Sequence, residues 1–239
     1  MQEIIATLKK DGKYWLSFTG DSITSCEWVH PNWRDIVIYV LQEEVTKLLN
    51  GDWKTAEWGI KGFNLAYDGA TTKDIYEKLD DILLIKPQMV IGLMGGNDPV
   101  SGISVAQSVD YISNIADTIT HSGAKLVWSS STPAGKGSKK NREYEPYARA
   151  FMRMPSKDGL TKIDMFKSYQ LFPTDKFFTF LSEENPVEGI KTRELDLQHP
   201  NQLGNAYIAK VILKEVFRIE FNPDQYIAET LAGEKFPKY

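Results

Sequence analysis

The chain has 239 residues, a length that allows a substantial hydrophobic core within one α/β domain. Hydrophobic residues make up 42% and charged residues 25%, the proportions of an ordinary folded protein without low-complexity tracts. The formal net charge is −4 and the lysines are scattered, which argues against a nucleic-acid partner. The single cysteine, Cys26, excludes an internal disulfide.

The amino terminus has no basic start followed by a continuous apolar run, so it does not indicate a signal peptide. No stretch approaches the roughly 18 apolar residues that a membrane span requires. We therefore expect one domain over residues 1–239, in the cytoplasm and without a membrane partner. A leader removed before this sequence begins would leave no trace in it.

The first half of the chain alternates between strand and helix patterns. A run rich in β-branched and aromatic residues over 14–19 predicts a buried strand. Apolar residues at helical spacing predict a helix over 33–49. A strand around 58–65 and a helix over 72–85 are expected to follow.

The alternation continues with a predicted strand over 89–94, a helix over 104–121 and a strand over 125–129. A parallel crossover needs a connection of helical length. This order therefore predicts an α/β fold with a mostly parallel central sheet and helices on both faces, which is a three-layer α/β/α sandwich.

Residues 133–194 contain five prolines and a polar run over 136–143. This composition predicts loops with short helices rather than a separate domain. Within it, residues 162–166 are expected to form a fifth strand. A last helix is predicted over 205–217.

The reactive groups of an open α/β sheet lie at the carboxyl ends of its strands. Gly20-Asp21-Ser22 follows the first strand, and a strand-to-helix turn there would expose the Ser22 hydroxyl. A serine needs a base, and His199 lies three residues after Asp196, a spacing that lets the carboxylate orient the imidazole. We predict Ser22 as the nucleophile, His199 as the base and Asp196 as its partner.

Acyl transfer also needs hydrogen-bond donors for the oxyanion of the tetrahedral intermediate. Two candidates follow predicted strands. Gly69 can bring its backbone N–H close because it lacks a Cβ, and Asn97 carries a side-chain amide. This chemistry implies no metal and no organic cofactor.

Four blocks of the sequence resemble those of the SGNH hydrolases, the GDSL-type esterases and lipases. Gly-Asp-Ser at 20–22 is similar to their first block, and Asn-Leu-Ala-Tyr-Asp-Gly at 64–69 to their second, although 64–67 is less typical. Gly-Gly-Asn-Asp at 95–98 matches the third block, and Asp196 with His199 the fifth.

The resemblance covers residues 20 to about 209 and implies an SGNH/flavodoxin-like fold. It also implies an oxyanion hole formed by the Ser22 N–H, the Gly69 N–H and the Asn97 amide. Structural alternatives exist for single residues: Ser22 would suit a helix cap, and Gly69 a turn with an unusual φ. We expect Asp21 to shape the nucleophile turn and Asp98 to start a helix, without joining the chemistry.

Other residues near these blocks are expected to be structural or to line a pocket. Cys26 should pack inside the protein rather than act as a second nucleophile. Three aromatic residues either line the acyl or alcohol pocket or belong to the core: Trp28, His30 and Trp33. A basic group is expected to lie in a solvated loop: Lys139, Lys140 and Arg142.

The sequence thus predicts a serine esterase that hydrolyses short-chain or acetyl esters, on small molecules or carbohydrates, through an acyl-enzyme. No long apolar segment suggests an interfacial lid. Two alternatives stay open. One is a non-catalytic module of the same fold that binds a glycan or a protein partner, and the other is an acyltransferase, thioesterase or lysophospholipase.

Overall fold

A computed structural model describes residues 1–182 and 192–233 of the protein. Within this part of the chain, one sheet contains β1 (Tyr14–Gly20), β2 (Ile60–Asn64), β3 (Met89–Met94), β4 (Lys125–Ser130) and β5 (Leu160–Ile163). All neighbouring strands are parallel, in the order β2-β1-β3-β4-β5. The predicted parallel sheet is therefore confirmed.

Helices cover both faces of this sheet. Their bounds are α1 (Gln2–Asp11), α2 (Ser22–Ser25), α3 (Trp33–Leu48), α4 (Trp53–Gly59), α5 (Thr72–Glu77), α6 (Leu79–Leu84), α7 (Val105–His121), α8 (Lys140–Arg153), α9 (Met165–Tyr169), α10 (Gln202–Ile212) and α11 (Pro223–Leu231). A 3-10 turn covers Thr174–Lys176, and a π-helical turn over Leu213–Phe217 follows α10. No helix in the described ranges is long and apolar enough to cross a bilayer.

The strands are apolar on both faces because each face carries its own core. On one side, Phe18 and Ile91 pack with buried residues of α1, α3, α10 and α11. On the other side, Val90 and Trp128 pack with α5, α6, α7 and α8. Successive side chains of a strand point to opposite faces, so this arrangement produces the expected three-layer α/β/α sandwich.

Two strand boundaries differ from the prediction. Residues 58 and 59 belong to α4, so β2 starts at Ile60. The strand expected over 162–166 lies over Leu160–Ile163 instead. There, Asp164 accepts a hydrogen bond from the N–H of Lys167 and starts α9, so the apolar residues that follow Asp164 are helical.

The helices also differ in detail from the prediction. The helix expected over 72–85 divides at Lys78 into α5 and α6. Lys140 and Arg142 lie in the first turn of α8, so their prediction as loop residues was wrong. Tyr144 and Ala148 are buried four residues apart on α8, and this packing stabilises the helix despite Pro146 in its interior.

Three terminal features were missed or shifted. No element was predicted at α1 or at α11, where Asn222 caps the helix and Pro223 occupies its first turn. The helix predicted over 205–217 begins earlier, at Gln202, because Asn201 accepts the N–H of Gly204. Its last residues form the π-helical turn.

Gly20 is the last residue of β1 and the first residue of the Gly-Asp-Ser block at 20–22. Its φ is +147°, and an added Cβ would lie 2.3 Å from the carbonyl oxygen of Leu93 in β3. Both the backbone conformation and the close approach of the two strands require glycine. The position of the following residues therefore depends on this contact.

We expect Gly20→Ala to lower the free energy of unfolding by at least about 3 kcal/mol, because it adds overpacking to backbone strain. Gly123→Ala is the matched control: Gly123 has a φ of +88° but open space around its Cβ position. This control should cost about 1 to 2 kcal/mol. Urea denaturation measures both variants, and equal losses would contradict the close contact as the cause.

Candidate active site

Ser22 lies immediately after β1, as the first residue of the short helix α2. The Asp21 carboxylate accepts the N–H of Ile23 at 3.1 Å, and its carbonyl accepts the N–H groups of Thr24 and Ser25. The N–H of Ser22 itself has no hydrogen-bond partner among the described residues. Asp21 thus shapes the turn, as expected, and leaves the Ser22 N–H available as a donor.

The three residues predicted as a triad lie in contact. The Ser22 Oγ is 2.8 Å from the His199 Nε2, and the His199 Nδ1 is 2.6 Å from the Asp196 Oδ2. An Nδ1–H donating to the carboxylate leaves Nε2 as an acceptor for the serine proton. The arrangement can therefore remove a proton from Ser22 and stabilise the imidazolium that results.

The spacing between Asp196 and His199 follows from the local hydrogen bonds. The Asp196 Oδ1 accepts the backbone N–H of Gln198 at 2.8 Å and that of His199 at 3.1 Å. The N–H of Asp196 donates to the carbonyl of Phe180 at 2.9 Å. One carboxylate therefore folds the turn with one oxygen and orients the imidazole with the other.

The charges around His199 favour its protonated form. Burial alone would lower its pKa, but the hydrogen bond and negative charge of Asp196, with the charges of Asp21 and Asp68, raise that pKa above its ordinary value. Burial would likewise raise the pKa of Asp196, but the hydrogen bond and charge of His199 and the backbone donors lower it. The negative charge of Asp196 can thus stabilise the positive charge that the His199 ring gains when it accepts a proton.

Asp21 is a second, fully buried carboxyl beside the nucleophile. Burial raises its pKa to about 6, although the Ile23 N–H and the charge of His199 act in the opposite direction. The nearby charge of Asp98 adds to the increase. Asp21 therefore carries its negative charge at a cost in stability.

The residues predicted for the oxyanion hole are placed unequally. Asn97 lines the same cavity as Ser22 and His199, and its side-chain amide donates one hydrogen to the carbonyl of Ala70 at 3.0 Å. The second hydrogen of the Asn97 amide does not take part in this hydrogen bond. Gly69 lies in an exposed turn with a φ of +72° and is not among the residues that line the cavity.

Asp98 has a structural position, though not at the start of its own helix. Its buried carboxylate accepts the backbone N–H of Thr72 at 2.8 Å and the hydroxyl of Thr72 at 2.7 Å. Thr72 is the first residue of α5. Asp98 thus connects the turn after β3, which carries Asn97, to the helix that follows the Gly69 turn.

A cavity of about 20 Å³ opens beside Ser22. Its walls include residues that the sequence analysis did not find: Ser131, Thr132, Ala134, Tyr144 and Gln198. Ser131 and Thr132 directly follow β4, so they could have been predicted, because the site of an open α/β sheet lies at the carboxyl ends of its strands. Tyr144 comes from α8 and gave no such signal. Asn141 holds the wall by binding both the N–H and the carbonyl of Ala134, at 2.8 and 3.0 Å.

The aromatic residues and the cysteine that follow Ser22 in the sequence differ in burial and in contacts. Trp33 is fully buried and belongs to the core, whereas the His30 side chain is 82% exposed, with Nδ1 3.6 Å from Asp35. Trp28 contacts the His199 ring. Cys26 is buried, and burial raises the pKa of its thiol to about 11, which disfavours a nucleophilic thiolate.

The GDSL-like Lipase/Acylhydrolase family model matches residues 18–207. The chain belongs to this family. The matched segment starts in β1 and ends in α10, so it contains every block that carries the proposed triad. Among the described residues, no group of three or more His, Cys, Asp or Glu side chains is arranged to hold a metal ion.

Solved structures share the fold. A lipase/acylhydrolase from Enterococcus faecalis is 20% identical with a TM-score of 0.58, and covers 85% of this chain and 95% of its own. A variant of Axe2, an acetyl xylan esterase from Geobacillus stearothermophilus, is 15% identical with a TM-score of 0.63, covering 87% and 96%. A search of curated protein sequences found no significant match.

We expect the pKa of His199 in the folded protein to lie above 6.5 and to fall when Asp196→Asn removes its main charge partner. The control is Asp68→Asn, which removes a weaker contribution and should lower the pKa less. NMR titration of the His199 ring, assigned with His199→Gln, measures the three values. A larger decrease in the Asp68 variant would contradict the assignment of Asp196 as the main partner.

The raised pKa of Asp21 makes stability depend on pH. The folded chain binds this proton below about pH 6, whereas an unfolded Asp binds it near 3.8, so the contribution of Asp21 to the free energy of unfolding should increase as the pH falls between these values. Asp21→Asn removes this contribution. The difference between variant and wild type should change by about 2 kcal/mol between pH 7.5 and 4.5. Urea denaturation at each pH measures the two free energies of unfolding. If they change in parallel with pH, the raised pKa of Asp21 is refuted.

Proposed function

We propose that this protein is a serine esterase that hydrolyses acetyl and other short-chain esters, including those on carbohydrates. The observation that carries the proposal is the continuous contact from the Ser22 hydroxyl to His199 and on to the Asp196 carboxylate, at 2.8 and 2.6 Å. A module that only binds a ligand has no need for this contact. The contact therefore favours catalysis over binding.

The mechanism proceeds in two steps. His199 Nε2 takes the proton as the Ser22 Oγ attacks the ester carbonyl, and the Ser22 N–H and the Asn97 amide stabilise the oxyanion. The Gly69 N–H is the third donor that the family resemblance implies, although Gly69 does not line the cavity. His199 then gives the proton to the leaving alkoxide as the acyl C–O bond breaks. Water, deprotonated by His199, then attacks the acyl carbon. The bond to the Ser22 Oγ breaks, His199 returns the proton to that oxygen, and the acid leaves.

The size of the cavity supports a small acyl group. About 20 Å³ is little more than the space that one water molecule occupies. An acetyl group needs only modest local adjustment to enter this space, so the cavity favours short acyl groups over long acyl chains. The Axe2 acetyl xylan esterase is consistent with this substrate class.

The relatives also support the assignment of the nucleophile and base. Two further structures of Axe2 are described as catalytic mutants, one with a serine and one with a histidine replaced by alanine. We assign the corresponding roles in this chain to Ser22 and His199, on the geometry above. Transfer of the acyl group to a sugar or thiol would use the same intermediate, with the acceptor replacing water.

The test is hydrolysis of p-nitrophenyl acetate, butyrate and octanoate at pH 8. Ser22→Ala should lower kcat by about 10⁴-fold or more, and the acetate should be the best substrate. Ser25→Ala is the matched control, since Ser25 lies in the same short helix but directs its hydroxyl to Asp68. It should retain most of the activity.

Two results would contradict the proposal. Equal, negligible rates for wild type and Ser22→Ala, on these esters and on acetylated glycans, would indicate a binding module. A preference for octanoate over acetate would overturn the acyl size inferred from the cavity.

A further inference from the structure

Trp28 is a large aromatic residue that remains 54% exposed directly beside the triad. Its ring lies 5.6 Å from the His199 ring and 5.0 Å from the Phe180 ring, nearly perpendicular to both. Tryptophan is enriched at binding surfaces, because its ring offers a large apolar area together with a polar N–H. Trp28 is absent from the walls of the small cavity, so it forms a separate surface.

The loop that carries Trp28 is held in place by polar contacts. Arg34 is only 7% exposed, and its guanidinium donates to the carbonyl of Thr24 at 2.7 Å and to the Glu27 carboxylate at 2.9 Å. From β2, Asn64 donates to the same carboxylate at 2.9 Å. These bonds restrain the backbone of the loop at the residue before Trp28, and restraint before binding lowers the entropic cost of binding.

Phe180 is tied to the catalytic segment from the other side. Its carbonyl accepts the N–H of Asp196, the residue that orients His199. The two aromatic rings are therefore anchored independently, one through α3 and β2 and the other through the triad turn. They meet beside the imidazole.

The chemistry of the reaction decides which part of the substrate reaches these rings. In breaking the acyl C–O bond, His199 must give the proton it took from Ser22 to the oxygen of the alcohol. That oxygen must lie within hydrogen-bond distance of the His199 Nε2. The rest of the alcohol is then close to the imidazole, and the Trp28 ring is 5.6 Å from the His199 ring.

We propose that Trp28 and Phe180 form a binding surface for the sugar ring of the leaving alcohol. This inference rests on the proposed esterase function and names its substrate as an acetylated glycoside. A pyranose ring presents C–H groups that pack on aromatic surface and hydroxyls that stay hydrated, which suits half-exposed rings.

The kinetic test compares three acetates that share the acyl group: methyl β-xyloside monoacetate, hexyl acetate and ethyl acetate. Trp28→Ala should lower kcat/KM for the xyloside about tenfold, mostly through KM, and change ethyl acetate less than twofold. Trp28→Phe should lose less, because it keeps an aromatic ring. Trp58→Ala is the matched control and should leave kcat/KM unchanged for all three acetates.

The control is informative because Trp58 is also exposed, at 66%, but lies at the opposite end of the sheet. It precedes Ile60, which pairs with Tyr14 at the start of β1, whereas Ser22 follows the end of β1. Equal losses on xyloside and ethyl acetate would mean that Trp28 acts only through His199. A larger loss on hexyl acetate would indicate an apolar alcohol. Either result overturns the inference.

A binding experiment tests the surface without any turnover. Methyl β-xyloside, which carries no ester, is titrated into Ser22→Ala while the indole N–H resonances are followed by NMR and assigned with Trp28→Phe and Trp58→Phe. The Trp28 resonance should shift and that of Trp58 should not. An unmoved Trp28 resonance overturns the sugar surface even if the protein is an esterase. A shift with no esterase activity would refute the proposed function alone.

Discussion

The geometry of the site depends on the Asp196 carboxylate and on the two different uses of its oxygens. One oxygen accepts the N–H groups of Gln198 and His199 and so folds the turn, and the other holds the imidazole. The backbone and the base are thereby fixed by the same group. A partner that could hold only the ring would leave the turn to water, and His199 would lose its alignment with Ser22.

Much of the candidate site could be predicted from the sequence because these contacts join residues that are close together in the chain. Ser22 lies at a strand end, and Asp196 with His199 forms a contact within a single turn, so these assignments used short spacings along the chain together with the resemblance to the SGNH hydrolases. The alternation of strands and helices was informative for the same reason, because buried parallel strands are short, apolar and separated by connections of helical length.

The features that were missed depend on contacts between distant segments. Tyr144 reaches the cavity from α8, a helix that the polar run and Pro146 had concealed, and nothing near it in the sequence indicates this position. Trp28 and Trp33 were indistinguishable in the sequence, yet one is exposed beside His199 and the other fully buried. Burial is set by the packing of α3 against the sheet and α10, and no local pattern reports it.

The pairing of Asn141 with both backbone groups of Ala134 has a consequence for the evolution of the candidate site by substitution. It secures one wall of the cavity within residues 134–144, using none of the bonds that hold Asp196 and His199. The adjacent Gly135, however, donates its N–H to the carbonyl of Leu197, between Asp196 and His199, at 2.7 Å, so this wall is also joined to the turn of the candidate triad. Substitutions in residues 134–144 that displace Gly135 should therefore also displace that turn, so the shape of the cavity and the alignment of His199 with Ser22 are expected to change together.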